Sequence, residues 1–319
     1  MSIFKTILDD NRNRKKYYLF YSFVFLLTSC AVLCWYLFTG KTLIWSLDGW
    51  NQHYKALIYY SRYLRQIIRT LFRQHRLVIP AWDPYIGEGS DVLSTLHYYV
   101  IGDPLNILSV FAKTGNMYLL YSFLIVLRLY LAGFSFSFMC FSLGQKNRWA
   151  ILAGSISYSF CYWAVLNAAR HPYFLNPMIY FPLIITGVEK IMHHKRPYLL
   201  TAAVFLSAIS NFYFFYIITI LTVIYVAVRL IMEYGKKWKD YIRPLLRIAL
   251  ASCIGTMMAG LIFLPVIHTF LTDSRMDISR PWHLFYPWYY YSLLPSLLTY
   301  TDGEDFYWSC LCHAVPPCG

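Results

Sequence analysis

The chain has 319 residues, of which 58% are hydrophobic, 20% aromatic and only 13% charged, so its composition excludes an ordinary soluble domain. Its formal net charge of +13 lies mostly in short tracts between apolar runs, and this excludes an isolated nucleic-acid-binding domain. We therefore expect an all-α, polytopic membrane protein.

The apolar runs predict seven transmembrane helices, since a helix needs about 20 apolar residues, and at least about 17, to cross the hydrocarbon core. A basic cluster at residues 12–16 precedes the first run, so the positive-inside rule predicts a cytoplasmic N-terminus. An odd number of spans then predicts an extracytoplasmic C-terminus. The predicted spans are residues 17–38, 117–143, 149–167, 172–192, two within 197–232, and 246–268.

Ser210-Asn211 interrupts the long apolar run at residues 197–232. We interpret this run as a hairpin of two short helices, because the basic clusters at 195–196 and 236–237 then both face the cytoplasm. One very long helix is the alternative. The predicted organisation is a transmembrane domain (1–268), with a first outer loop at 40–116, and an extracytoplasmic segment (269–319).

Asp48 lies just past the outer end of the first predicted span, in the segment Ser46-Leu47-Asp48-Gly49-Trp50-Asn51-Gln52. A lone acid beyond a helix end is most often a solvated cap. Here, however, a basic stretch follows, on the side where a lipid-linked substrate would present its phosphate. Asp48 is therefore the leading candidate for chemistry at the membrane surface.

Residues 52–76 predict an amphipathic helix that lies on the membrane. Tyr60, Leu64, Ile67 and Leu71 form its apolar face, with Ile68 at the edge. The basic face suits general attraction to lipid headgroups, or the binding of a carrier phosphate by a guanidinium group. The arginines of that face are Arg62, Arg65, Arg69, Arg73 and Arg76.

An acidic, glycine-containing loop follows, between Trp82 and Asp103. Acids next to aromatic rings suit sugar binding, and carboxylate oxygens also suit a divalent cation. The remaining alternative is an ordinary solvated loop. The acids are Asp83, Glu88, Asp91 and Asp103, and the aromatic residues are Trp82, Tyr85, Tyr98 and Tyr99.

Four segments together resemble the bacterial YfhO-like membrane proteins, which are assigned to the GT-C class of glycosyltransferases. The resemblance extends to about residue 308, in the same order and with similar spacing. The segments are Asp48-Gly49-Trp50-Asn51-Gln52, Trp82-Asp83-Pro84-Tyr85-Ile86-Gly87-Glu88-Gly89-Ser90, Gly102-Asp103-Pro104 and Ser210-Asn211-Phe212-Tyr213-Phe214.

The resemblance implies an inverting transfer of a sugar from undecaprenyl phosphate to a cell-envelope acceptor, such as teichoic or lipoteichoic acid, at the outer face of the bacterial cell membrane. It makes Asp48 the general base. Arg170, His171 and Arg275 are candidates to stabilise the leaving phosphate, and for each a topological or interfacial role is the alternative. The predicted substrate-binding residues are Gln52, Asp83, Glu88, Asp103, Arg170, His171, Asn211, Tyr213 and Arg275.

The expected partners are a lipid-linked sugar donor, a cell-envelope polymer and membrane lipids, without nucleic acid. No cofactor is required by the sequence, although a divalent cation fits its acids. Cys310, Cys312 and His313 match zinc-ligand spacing poorly, so the Cys- and Pro-rich end predicts a truncated or frameshifted reading frame.

Two other classes of function remain open. A transporter or flippase for lipid-linked sugar normally has ionisable residues near the bilayer midplane, whereas most acids here are in the first outer loop and Arg128 is the main exception. An inactive fragment or a non-catalytic assembly factor is the third alternative.

Overall fold

The computed structural model describes residues 14–235 and 237–272, and this part of the chain confirms the all-α class. The α-helices are α1 (Arg14–Phe38), α2 (Lys55–Gln74), α3 (Val92–His97), α4 (Met117–Ser142), α5 (Arg148–Ser159), α6 (Tyr162–Arg170), α7 (Asn176–Met192), α8 (Tyr198–Ser210), α9 (Phe212–Tyr234), α10 (Trp238–Met258) and α11 (Gly260–Thr272). A π-helical turn (Gly49–Tyr54) precedes α2, and 3₁₀ turns lie at Pro104–Val110, Thr114–Asn116 and Pro172–Leu175. The strands β1 (Trp82–Asp83) and β2 (Ser90–Asp91) form one antiparallel pair.

The number of candidate spans is smaller than the seven predicted. Four helical segments of the described chain are long and apolar enough to cross a membrane, or five if the bent pair α10–α11 counts as one span. Helices α5 and α6 together form one candidate, whereas α7 has 17 residues and α8 has 13. Helices α10 and α11 meet at a bend of 78°. The two predicted spans that are missing from the five are therefore α7 and α8, whose helices are too short to count. The side of the membrane on which each terminus lies stays a prediction.

The predicted break at Ser210-Asn211 is confirmed. Helix α8 ends at Ser210 and α9 begins at Phe212. The Asn211 side chain accepts a hydrogen bond from the backbone N–H of Phe214 at 3.2 Å. Asparagine is a preferred N-cap because its side-chain oxygen pairs with a backbone donor that the first helical turn leaves free. Asn211 therefore begins α9, as expected of a turn former.

Small residues allow α4 and α5 to pack closely. Gly133 on α4 has no room for a Cβ, which would lie 2.2 Å from the Ser159 hydroxyl of α5. The hydroxyls of Ser137 and Ser155 are 2.6 Å apart, and Ser159 donates to the Leu129 carbonyl at 3.0 Å. Small residues four apart are typical of helix contacts in membranes, where packing and interhelical hydrogen bonds replace the hydrophobic effect.

One aromatic face of α1 packs against α4. Tyr17, Tyr21 and Phe25 recur every four residues and are almost fully buried. The Tyr17 hydroxyl lies 2.9 Å from that of Ser137, and the Tyr21 hydroxyl donates to the Tyr130 carbonyl at 2.8 Å. These contacts hold the N-terminal half of α1 against α4.

Gly102 occupies a backbone position that other residues do not fit. Its φ is +92°, and a Cβ would lie 1.8 Å from the Ile209 carbonyl oxygen. Only glycine adopts this conformation without strain. Gly102 thereby holds the end of the outer loop against the end of α8, directly before Asp103.

Replacing Gly102 with alanine is expected to destabilise the protein by at least about 1–3 kcal/mol, because it adds backbone strain and a clash with backbone. Thermal unfolding in detergent measures the loss. Gly115→Ala is the matched control, since nothing lies within 4 Å of the Cβ that it adds. Equal unfolding temperatures for the two variants would contradict the requirement for glycine at position 102.

Candidate functional site

The Asp48 segment forms a π-helical turn directly after the first span. Asp48 precedes the turn, and its Oδ1 accepts a hydrogen bond from Gln52 Nε2 at 2.8 Å. A Cβ at Gly49 would lie 3.3 Å from the Ala169 carbonyl oxygen, so the turn packs closely against the end of α6. Isolated π turns occur frequently at functional sites. The Asp48 side chain is 38% exposed, which leaves it accessible to a substrate.

Two histidines extend inward from Asp48. His171 Nε2 lies 3.9 Å from Asp48 Oδ2, and His171 Nδ1 lies 2.8 Å from His53 Nε2. His53 is only 3% exposed and belongs to the same π turn as Gln52. The structure thus brings together Asp48, Gln52 and His171, which the sequence analysis had selected, and adds His53, which it had missed. His53 could have been identified from its position five residues after Asp48, because five residues is the spacing of hydrogen-bonded positions in a π turn.

Burial keeps the inner histidine neutral. Desolvation and the neighbouring His171 lower the pKa of His53 to about 3. Desolvation also lowers the pKa of His171, and the nearby Arg170 lowers it further, against an opposing effect of Asp48. His171 therefore faces Asp48 as a neutral ring, 3.9 Å from its Oδ2, rather than as a cation.

Aromatic rings surround the histidine pair and connect it to α9. The Arg170 guanidinium lies 5.1 Å from the ring centroid of Trp45. His171 stacks on Phe174 at 4.9 Å, and Phe174 contacts Phe214 at 4.8 Å. The start of α9, where Asn211 and the half-exposed Tyr213 were predicted to help form a pocket, is thus linked to the Asp48 site through these rings.

Asp103 does not lie in an open ligand-binding loop, and this corrects the sequence-based expectation. It is 2% exposed and forms an ion pair with Arg128 of α4, with Oδ2 and Nη2 separated by 2.6 Å. Asn176 Nδ2 donates to the same Asp103 oxygen at 2.8 Å, and Asn106 Oδ1 accepts from Arg128 at 2.9 Å. The ion pair holds the loop that carries Asp103 against α4, because Asp103 neutralises the buried guanidinium of Arg128. Arg128 therefore has a structural role.

The other acids of the loop lie at its surface. Asp83 accepts hydrogen bonds from the Tyr59 hydroxyl and the Tyr85 backbone N–H, and these lower its pKa. Glu88 is exposed beside the β1–β2 pair. The Tyr85 ring is 91% exposed. This hairpin presents acids and aromatic surface together, as predicted, whereas Arg275 lies outside the described residues.

Helix α2 matches the predicted amphipathic helix, with one arginine in an unexpected role. The Arg65 guanidinium donates to the backbone carbonyls of Val110, at 2.9 Å, and Ala112. Arg62, Arg69, Arg73 and Arg76 are exposed. The basic face therefore keeps four accessible guanidinium groups, while Arg65 fixes α2 to the 3₁₀ turn that follows Asp103.

Among residues 14–235 and 237–272, no three His, Cys, Asp or Glu side chains are grouped to hold a metal ion. Cys310, Cys312 and His313, which match zinc-ligand spacing poorly, and the predicted truncation or frameshift fall outside the described residues.

The fold and the site define an all-α, polytopic membrane protein with a carboxylate–histidine cluster just past its first span. The family model described as "Bacterial membrane protein YfhO" matches residues 21–309, which is most of the chain. The chain therefore belongs to the YfhO family.

Comparison with curated proteins finds the "Uncharacterized protein YfhO" of Bacillus subtilis (strain 168), which is 31% identical over 140 residues. The aligned stretch covers 42% of this chain but only 16% of that relative, so the similarity spans a small part of the longer protein. No solved structure matches the chain.

We expect Arg128→Met to destabilise the protein by about 3–5 kcal/mol, because it leaves the Asp103 carboxylate buried without its partner. Unfolding in mixed detergent micelles measures this loss. The double variant Asp103→Leu/Arg128→Met should regain part of it, and the exposed-site control Arg69→Met should change stability by less than about 0.5 kcal/mol. Wild-type stability in Arg128→Met would contradict the pairing.

Stability is also expected to fall as the pH drops below about 6.5, the value of an unfolded histidine. Between that pH and the folded pKa of about 3, the unfolded chain binds a proton at His53 that the folded chain excludes. The free energy of unfolding should then decrease by up to about 1.4 kcal/mol per pH unit for this group. His97 and His171, whose pKa values are also lowered, act in the same direction.

The measurement is thermal unfolding between pH 7 and pH 4. His53→Phe should give a shallower pH dependence, whereas His194→Asn, at an exposed position, should leave the slope unchanged. An unchanged slope in His53→Phe would show that His53 is not the group that resists protonation.

Proposed function

We propose that the protein is a membrane glycosyltransferase that moves a sugar from a polyprenyl-phosphate carrier, such as undecaprenyl phosphate, to a hydroxyl of a cell-envelope polymer such as teichoic or lipoteichoic acid. The observation that carries this proposal is the accessible Asp48 carboxylate, held by Gln52 and backed by a neutral histidine pair, at the end of the first span. The YfhO family, to which the chain belongs, is described as bacterial membrane proteins, which supports a reaction at a membrane.

Asp48 has the chemistry and the exposure of a general base. It would take the proton of the acceptor hydroxyl while that oxygen forms a bond to the anomeric carbon. The bond from that carbon to the phosphate oxygen breaks at the same time, and its electron pair leaves with the lipid phosphate. Attack from the opposite face inverts the configuration at the sugar.

The Asp48 orientation is set by its neighbours. Gln52 holds one carboxylate oxygen at 2.8 Å, and His171 faces the other at 3.9 Å. With two neighbours facing it, the carboxylate is directed before the acceptor arrives, which lowers the entropic part of the barrier.

The departing phosphate needs a positive charge nearby. Arg170 adjoins His171 and is positioned by the Trp45 ring, so it is the candidate that the geometry favours. His171 is less suited to this role than the sequence analysis supposed, because its lowered pKa favours the neutral imidazole. In this proposal Arg170 stabilises the leaving phosphate, and Asp48 takes the proton from the acceptor hydroxyl.

The proposed substrate surface also includes the acidic hairpin and the exposed face of α2. Asp83 and Glu88, next to the exposed Trp82 and Tyr85 rings, would hold sugar hydroxyls and pack on the apolar face of the ring. The exposed arginines of α2 would attract anionic lipid or the anionic polymer.

Asp48→Asn is expected to lower sugar transfer by about 10²–10⁴-fold, because the amide cannot accept the proton. The assay uses the protein in proteoliposomes with a panel of radiolabelled polyprenyl-phosphate sugars and lipoteichoic acid as acceptor. Asp91→Asn is the matched control, since Asn preserves the N-cap that Asp91 provides for α3.

Two outcomes would contradict this function. Wild-type transfer in Asp48→Asn would remove Asp48 as the base. Movement of the labelled lipid across the vesicle membrane without transfer would instead establish a flippase.

A further inference from the structure

A small cavity lies between the histidine pair and the Arg128–Asp103 ion pair. Its volume is about 20 Å³, and the residues with polar groups that line it are His53, Tyr99, Asn106, Tyr121, Arg128 and Tyr173. A cavity admits a water molecule once about 10–15 Å³ are open to it, and a buried water needs two to four polar partners. This cavity is therefore large enough for one water.

Three polar atoms of the lining residues lack a protein partner within the described chain. They are Nδ1 of His53 and the hydroxyl oxygens of Tyr121 and Tyr173, in side chains that are 3%, 5% and 3% exposed. Leaving buried polar atoms unpaired is costly, so such groups are normally satisfied by protein or by ordered water. Because His53 and Tyr121 line the same cavity, their two atoms are the candidates for sharing one water.

Arg128 and Asn106 offer further partners. Arg128 has five N–H donors, and four hydrogen bonds occupy them, to Asn176, the Leu124 carbonyl, Asp103 and Asn106. One N–H on Nη1 therefore remains. Asn106 Oδ1 accepts one bond from Arg128 and keeps a second lone pair. The lining thus supplies two donors and two acceptors, which is the complement of a water molecule.

The neighbours of the two histidines favour one arrangement of their protons. The Asp48 carboxylate, 3.9 Å from His171 Nε2, favours an N–H on that nitrogen, so His171 Nδ1 is left as an acceptor. The 2.8 Å contact then requires His53 Nε2 to donate. A neutral His53 has only one N–H, and its Nδ1 is consequently a lone pair that needs a donor on the cavity side.

We propose that one water molecule binds in this cavity, where it donates to His53 Nδ1 and accepts from the Tyr121 hydroxyl. The bound water joins the hydrogen-bonded His171–His53 pair to Arg128 and Asn106. A hydrogen-bonded path therefore runs from His171, which faces Asp48 at 3.9 Å, to the buried ion pair. The inference concerns a binding site for water and does not depend on sugar transfer.

The first test reads the histidine tautomers directly. Nitrogen NMR of the ¹⁵N-histidine-labelled protein in lipid nanodiscs should show His53 and His171 as neutral rings protonated at Nε2, with signals assigned by their loss in His53→Phe and His171→Phe. A proton on His53 Nδ1 would overturn the proposed donation from water.

The second test asks whether the Tyr121 hydroxyl is bonded. Tyr121→Phe should lower the unfolding temperature more than Tyr118→Phe, a half-buried control on the same helix, because it removes a hydrogen bond to the water. An unchanged or raised unfolding temperature would identify an unpaired hydroxyl and overturn the proposal.

A density map at about 2 Å resolution gives the third measurement and needs no variant. A peak about 2.7–3.2 Å from His53 Nδ1 is expected. An empty cavity at that resolution would overturn the proposal even if Tyr121→Phe fails to fold.

Discussion

The ion pair between Arg128 and Asp103 is the interaction on which the rest of the structure depends. A guanidinium inside an apolar span is tolerated only when an acid and further hydrogen bonds neutralise it. Asp103 supplies the charge from the outer loop, and Asn176 joins both partners to α7. Ser210 accepts a hydrogen bond from Asn176, so α8 belongs to the same network. One charge requirement therefore fixes the loop, α4, α7 and α8 relative to one another.

The Asp48 site lies across the small cavity from this network, and its charges are arranged differently. Its inner groups, His53 and His171, have lowered pKa values and so avoid placing a positive charge in a desolvated region. The fixed charges are at the surface, on Asp48 and the neighbouring Arg170. Such a site can accept a proton at Asp48 while His53 and His171 stay neutral. That arrangement suits acid–base chemistry next to a lipid phosphate.

Much of the local structure could be predicted from the residues themselves. The arginine spacing predicted α2, Asn211 marked the start of α9, and Asp48 was selected because it follows the first span. Fewer candidate spans are found than predicted because α7, with 17 residues, and α8, with 13, are short helices, and hydropathy does not show where a helix ends. Arg65 was assigned to the exposed face because helical periodicity does not reveal that the 3₁₀ turn after Asp103 packs against it.

By itself, the sequence determined the membrane class, the apolar segments, the amphipathic helix and the candidate acid, because hydropathy, periodicity and capping depend on neighbouring residues. Only the tertiary structure decided that Asp103 neutralises Arg128 and that His53 contacts His171. These partners are 25 and 118 residues apart, and nothing in their local surroundings specifies the pairing. Which buried groups meet depends on how the helices pack, and the need to pair each buried charge and polar atom then selects among those contacts.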